Sequence, residues 1–149
     1  MIIYSINNHQ AIEFIENGQS FIACDSSLQR DATKIKFHIQ PNRLNHGVSI
    51  SESTIPFSET VKGVNYYRWN NKTIAWVYSK NHDLPPFASF DFLVVSSNSL
   101  RKKDIINSQP RFIIFDGSNS NKFVPYLAKE IESRKIATHF VAKDGAFIF

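Results

Sequence analysis

Apolar and polar positions alternate over residues 11–16 (AIEFIE) and 20–24. The Asn17-Gly18 pair between them is hairpin-turn chemistry. Residues 2–6 read as a strand ahead of this pair, so the chain starts with antiparallel β-structure. The period then changes. Leu28, Ala32, Ile35 and Ile39 share one helical face, predicting a helix over 27–39 with Ser26 or Ser27 as N-cap and Pro41 as its stop. Residues 41–63 are polar and without period, which predicts a long connection holding one short extended piece. Asn70-Asn71 separates two aromatic and β-branched runs and predicts a second hairpin tip, because asparagine tolerates the left-handed turn conformation. Beyond it the pattern predicts a buried strand over 90–97, a helix over 100–107 and a buried strand over 111–118. A second helix follows over 121–134, with Phe123, Tyr126, Leu127 and Ile131 along one side and Pro125 in its first turn. Strand THFVA, turn KDG and strand AFIF close the chain. A β-rich first half followed by β-α-β-α-β-β predicts a single α+β domain over 1–149, two β layers flanked by helices.

Composition changes this picture little. With 42% hydrophobic and 20% charged residues the chain is not disordered, and 13 phenylalanines point to sheets packed through aromatic contacts. Tyr66 and Trp69, in the hairpin, are assigned to packing ahead of base stacking. The net charge of +4 is compatible with nucleic acid or an anionic surface, but it is scattered. Its densest cluster, Arg101-Lys102-Lys103, is either a DNA contact or a solvated helix start. The lone Cys24 cannot form an internal disulfide and reads as a small buried residue. No apolar run reaches the length of a membrane span and no signal peptide is visible. As a chain it reads as soluble, and that is compatible with a domain of a membrane protein.

Candidate chemistry lies where strands end, since ligands gather at carboxyl ends of strands. The stretch FIIFDGSNSNKF (residues 112–123) runs from a buried strand into Asp116-Gly117-Ser118-Asn119 and then a helix. The order DFLVVSSNS, LRKKDIINSQP, RFIIFDGSNS, NKFVPYLAKEIESRKI, THFVAKDGAFIF resembles the end of the metallo-β-lactamase-like C-terminal domain of ComEC, the DNA-uptake channel of competent bacteria. At the front, Ser5 to Ala11 stand where that family has D-V-G-Q-G-D-A, and Asp25 stands on the aspartate of I-D-T-G. The wording is most similar to ComEC-type proteins of the Bacteroidetes lineage.

The resemblance implies a reduced metallo-β-lactamase-like sandwich. It also shows what the chain lacks. Active relatives hold two metal ions that activate a water. Their H-x-H-x-D-H motif is absent here. No two of His9, His38, His46, His82 and His139 are two or four apart. Ser96-Ser97-Asn98-Ser99 stands in place of P-H-H-G-S, and Asn119-Ser120-Asn121-Lys122 in place of the last histidine loop. Neutral serine and asparagine are weak ligands for a transition metal. The expectation is a vestigial active-site edge of His9, Asp25, Ser97, Asn98, Asp116, Ser118 and Asn119, with no cofactor. The implied role is a non-catalytic accessory domain of a ComEC-like channel, at the inner membrane and on the periplasmic side. Its partners would be the rest of that protein and, weakly, single-stranded DNA, through Arg101, Lys102 and Lys103. The alternative is a metal-dependent phosphodiesterase or nuclease with a new site around His9, Asp25 and Asp116. A Ser118, His139 and Asp116 assembly lacks the G-x-S-x-G elbow that would support it.

Overall fold

The computed structural model describes residues 1–52, 55 and 58–149. The chain order is β1 (Ile2–Ile3), β2 (Ala11–Glu16), β3 (Gln19–Cys24), α1 (Ser26–Gln29), α2 (Ala32–Lys34), a π-helical turn (Ile35–Ile39), α3 (Gln40–Asn45) and β4 (Ile50–Glu52). There follow β5 (Ser58–Val61), β6 (Val64–Trp69), β7 (Lys72–Val77), β8 (Ser89–Val95), α4 (Lys102–Asn107), β9 (Gln109–Phe115), α5 (Phe123–Ser133), β10 (Ala137–Phe140), α6 (Val141–Asp144) and β11 (Phe147–Ile148).

The strands form two sheets, ordered β11-β1-β2-β3-β4 and β10-β9-β8-β7-β6-β5. Phe14 and the hairpin aromatics meet between them. The Phe14 ring lies 5.1 Å from Tyr67 and 5.4 Å from Trp69. Ile12, Ile74, Trp76, Val94 and Ile114 complete this layer. Leu28 and Ile39 pack with Ile2, Tyr4, Ile6 and Ala11 on the outer face of the first sheet. On the second sheet Ile105, Leu127 and Ile131 from α4 and α5 cover Val77, Leu93, Val95 and Ile113. The result is four layers, α-β-β-α, consistent with the α+β expectation. Among the described residues no helix is long and apolar enough to cross a membrane.

Both expected hairpin turns are present. Asn17-Gly18 (φ 50° and 76°) joins β2 to β3, and Asn70-Asn71 (φ 46° and 58°) joins β6 to β7. A third, Lys62-Gly63 (φ 40° and 77°), joins β5 to β6 inside the region expected to be a connection. Residues 53, 54, 56 and 57 of that region lie outside the described residues.

The helix expected over 27–39 is instead broken and longer. Its cap is Asp25, which accepts from the Leu28 amide, and Asp31 caps the next turn through Lys34 N. Pro41 does not stop it. The π turn bonds Gln40 N to Ile35 O, and Pro41 then sits in the first turn of α3, where a missing N–H costs nothing. Near the end, β10 stops at Phe140 rather than Ala142, because Asp144 Oδ2 accepts from Phe140 N at 2.8 Å and closes a single helical turn. Trp69 is buried between the sheets, and Tyr66 packs near Phe90 at 6.0 Å, as the packing assignment anticipated. Cys24 is half-buried rather than buried, and burial pushes its thiol pKa up.

Candidate functional site

β8 and β9 run parallel with Val95 opposite Phe115, so the residues after them leave the sheet side by side. The two loops then bond to each other. Ser97 N donates to Ser118 Oγ (2.7 Å), Asn98 N to Asn119 Oδ1 (2.9 Å) and Ser120 N to Asn98 Oδ1 (2.9 Å). Ser97 and Asn98 both take φ of 53°, which places their amides for these bonds.

Asp116 is buried at the centre. Ser96 donates to one of its oxygens, and Ser118 N, Ser118 Oγ and Asn119 Nδ2 donate to the other. Trp76 Nε1 donates to Ser96 Oγ at 2.6 Å behind it. Burial raises the Asp116 pKa to about 6 despite the serine bonds, and the Asp25 charge adds to the rise.

The first sheet supplies the other half. Asp25 ends β3 and accepts from Gln10 N (2.8 Å), Leu28 N and Ser27 Oγ. Burial opposes its ionisation, but these bonds and His9 hold its carboxyl well below the usual range. His9 Nδ1 lies 3.2 Å from each Asp25 oxygen, and Lys34 Nζ lies 2.7 Å from His9 Nε2. With the ammonium donating to Nε2, the ring proton sits on Nδ1 and faces Asp25. Gln10 Nε2 bonds Ser97 Oγ at 2.8 Å and ties the two sheets' loops together.

All seven expected edge residues therefore meet at one end of the sandwich. They do not converge as ligands. Among the described residues no group of three or more His, Cys, Asp or Glu side chains is placed to hold a metal ion. The drawn triad does not form either. His139 Nε2 is engaged with Gly145 O at 2.8 Å, and Ser118 donates to Asp116.

The basic cluster differs from its expectation as a solvated group. Arg101 Nη2 donates to Asp104 Oδ1 (2.9 Å) and to His82 O (3.0 Å), and Asp104 also meets His82 Nε2 at 2.8 Å. Burial would raise the Asp104 pKa, but His82 and Arg101 hold it well below the usual range. Lys102 pairs with Glu130 at 3.2 Å and lies over the Tyr126 ring. Only Lys103 of the three is exposed. Replacing all three by alanine would therefore take the arginine from the buried Asp104 and leave it His82 alone, so it should cost stability, whereas charges on a solvated helix start would cost little. The sequence reading missed this cluster and missed Lys34. An acid three residues after Arg101, at the N3 position of α4, was the available signal, since Asp104 Oδ2 accepts from Arg101 N.

The Asp116 shift has a measurable sign. A carboxyl whose folded pKa is raised stabilises the fold fully below its unfolded value, and that contribution is lost as pH rises toward about 6. Urea unfolding should show stability falling between about pH 4 and 6, by on the order of 2 kcal/mol. Asp116→Asn should flatten that segment. An unchanged slope in the variant would assign the decline to other groups.

Fold and site define an α+β sandwich domain whose loop chemistry is gathered at one end. The chain belongs to the ComEC C-terminal domain family, whose model matches residues 1–149. No curated protein and no solved structure matches it. Membership implies a role in competence DNA uptake, as part of a larger ComEC membrane protein.

Proposed function

We propose that this is a non-catalytic accessory domain of a ComEC DNA-uptake protein, a reduced metallo-β-lactamase-like sandwich that keeps the hydrolase edge without its chemistry. It contacts the incoming single strand weakly and faces the periplasm. The observation that carries this reading is how the edge groups are used. Both Asp116 oxygens accept from neighbouring loop groups, and the His9 nitrogen that faces away from Asp25 receives the Lys34 ammonium. A lysine there supplies fixed positive charge, but it cannot lower the pKa of a bound water as a metal ion does. The four-layer arrangement and the loops at the ends of β3, β8 and β9 support the metallo-β-lactamase-like reading.

The test is elemental analysis of purified protein, followed by incubation with labelled single- and double-stranded DNA in the presence of manganese or zinc. The expected result is no stoichiometric metal and no cleavage. About one or two ions per chain, with cleavage abolished by His9→Ala or Asp25→Asn, would establish the nuclease instead.

A further inference from the structure

Beside the edge lies a cleft of about 540 Å³ with an unusual lining. The β1–β2 loop supplies Asn7 and Asn8, the second and third helical turns supply Lys34 and His38, and the loop after β9 supplies Gly117 and Asn121. Among the described residues no carboxylate lines it, and no Phe, Tyr or Trp. The wall between the loops is fixed, because Asn8 N donates to Gly117 O at 2.9 Å. Lys34 is fixed too, held between His9 Nε2 at 2.7 Å and Asp31 Oδ2 at 3.6 Å. Lys122 and Lys143 each follow a lining residue directly and are exposed. Among the described residues neither of them, nor His38, makes an ion pair.

A cleft lined by cationic and amide groups, with the partly exposed Asp31 as the acid beside Lys34 and three further basic side chains unpaired among the described residues, selects an anion. Asparagine amides donate well to phosphate oxygens, and lysine serves phosphate as a point charge. With no aromatic platform among the described lining residues, the bases have nothing there to stack on, so the contact is with the backbone. We propose that this cleft is a non-hydrolytic phosphodiester site for single-stranded DNA, with Lys34 as its resident cation and His38, Lys122 and Lys143 around it. This rests on the DNA-contact reading above and moves the contact away from Arg101 and Lys102, which are held at 2.9 Å by Asp104 and at 3.2 Å by Glu130, whereas the Lys34–Asp31 pair is longer, at 3.6 Å, and partly open to solvent.

The experiment is fluorescence anisotropy with a labelled oligothymidylate over a range of salt. About three phosphate contacts give a log–log salt slope of roughly −2 for a single strand, with no preference among homopolymers. Lys34→Met should weaken binding at low salt by about tenfold. Lys34 also bonds His9, so a second variant keeps the test independent of folding. The double substitution Lys122→Glu with Lys143→Glu changes only exposed side chains. It should leave thermal unfolding unchanged and still weaken binding by about tenfold or more. Lys103→Glu, exposed on α4, should bind as the unaltered chain does.

If Lys103→Glu abolishes binding while the double variant does not, the cleft is wrong and the DNA-contact reading stands. If the unaltered chain ignores the oligonucleotide but binds phosphatidylglycerol vesicles, the DNA reading itself falls. Absence of both interactions at low salt overturns the two together.

Discussion

Gly117→Ala should destabilise the domain by about 3 kcal/mol, a drop in Tm of roughly 10 °C for a chain of this size. The reason is space rather than backbone conformation. A Cβ on Gly117 would stand 2.3 Å from Ile6 O and 2.9 Å from Ile6 C. Both are main-chain atoms, so no side chain can swing aside. The β1–β2 loop and the loop after β9 are also joined by the Asn8 amide on Gly117 O, so separating them breaks that bond. The same movement would open the cleft between Asn7, Asn8 and Asn121, and oligonucleotide binding should weaken with stability. Urea and thermal unfolding of the variant measure the first effect. A loss below about 1 kcal/mol would mean that the two loops have room to part, and that their close approach does not hold the edge together.

Gly117 also shows where sequence reading stops. Asp116-Gly117 looks like ordinary turn chemistry, and a turn is there, but what the glycine answers to is Ile6, far away in the chain. The hairpins at Asn17-Gly18 and Asn70-Asn71 were legible because the turn residues and the flanking alternation are local. Most strands, α4 and α5 were legible for the same reason, through period and length, but the aperiodic stretch 41–63 marked only one short extended piece where the chain has most of α3, β4 and β5. The broken α1–α3 segment was not. One apolar face runs through Leu28, Ala32, Ile35 and Ile39, and nothing in that spacing marks a π turn that lets a helix continue past Pro41. The positions of the edge residues followed from the order of strand ends. Their bonding did not. Lys34 reaches His9 across 25 residues, and Gln10 reaches Ser97 across 87. Arg101 and Lys102 looked free because Glu130 is distant in sequence and Asp104 reads as one more surface acid until its burial is known.

The largest effect is expected at a residue that sequence reading passed over. Glu13 lies in the alternating strand AIEFIE, at a position facing the helical layer, and its side chain is 0% exposed. Arg43 Nε donates to it at 2.6 Å, and the hydroxyls of Tyr4 and Ser20 donate as well. Burial, reinforced by the bond to Glu13, pushes the Tyr4 hydroxyl pKa far above its ordinary value, so Tyr4 remains a donor at any physiological pH. Among the described residues Arg43 is the one cation paired with this carboxylate, which water cannot reach, and Arg43→Ala removes it. The expected loss is about 3–5 kcal/mol, as for other buried pairs broken from one side. Removing both charges together, with Glu13→Gln and Arg43→Met, should recover much of that loss, because no unpaired charge remains. A double-mutant cycle by urea unfolding measures the difference, and additive losses would show that the two residues do not act as a pair. The consequence reaches the cleft. Arg43 sits on α3, directly after the turns that carry Lys34 and His38, and it fastens that helical layer to the first sheet. Freed from Glu13, the layer should exchange its amide hydrogens faster than the inter-sheet core does. Oligonucleotide binding should then weaken in Arg43→Ala even where the rest of the domain stays folded, and recover in the double variant.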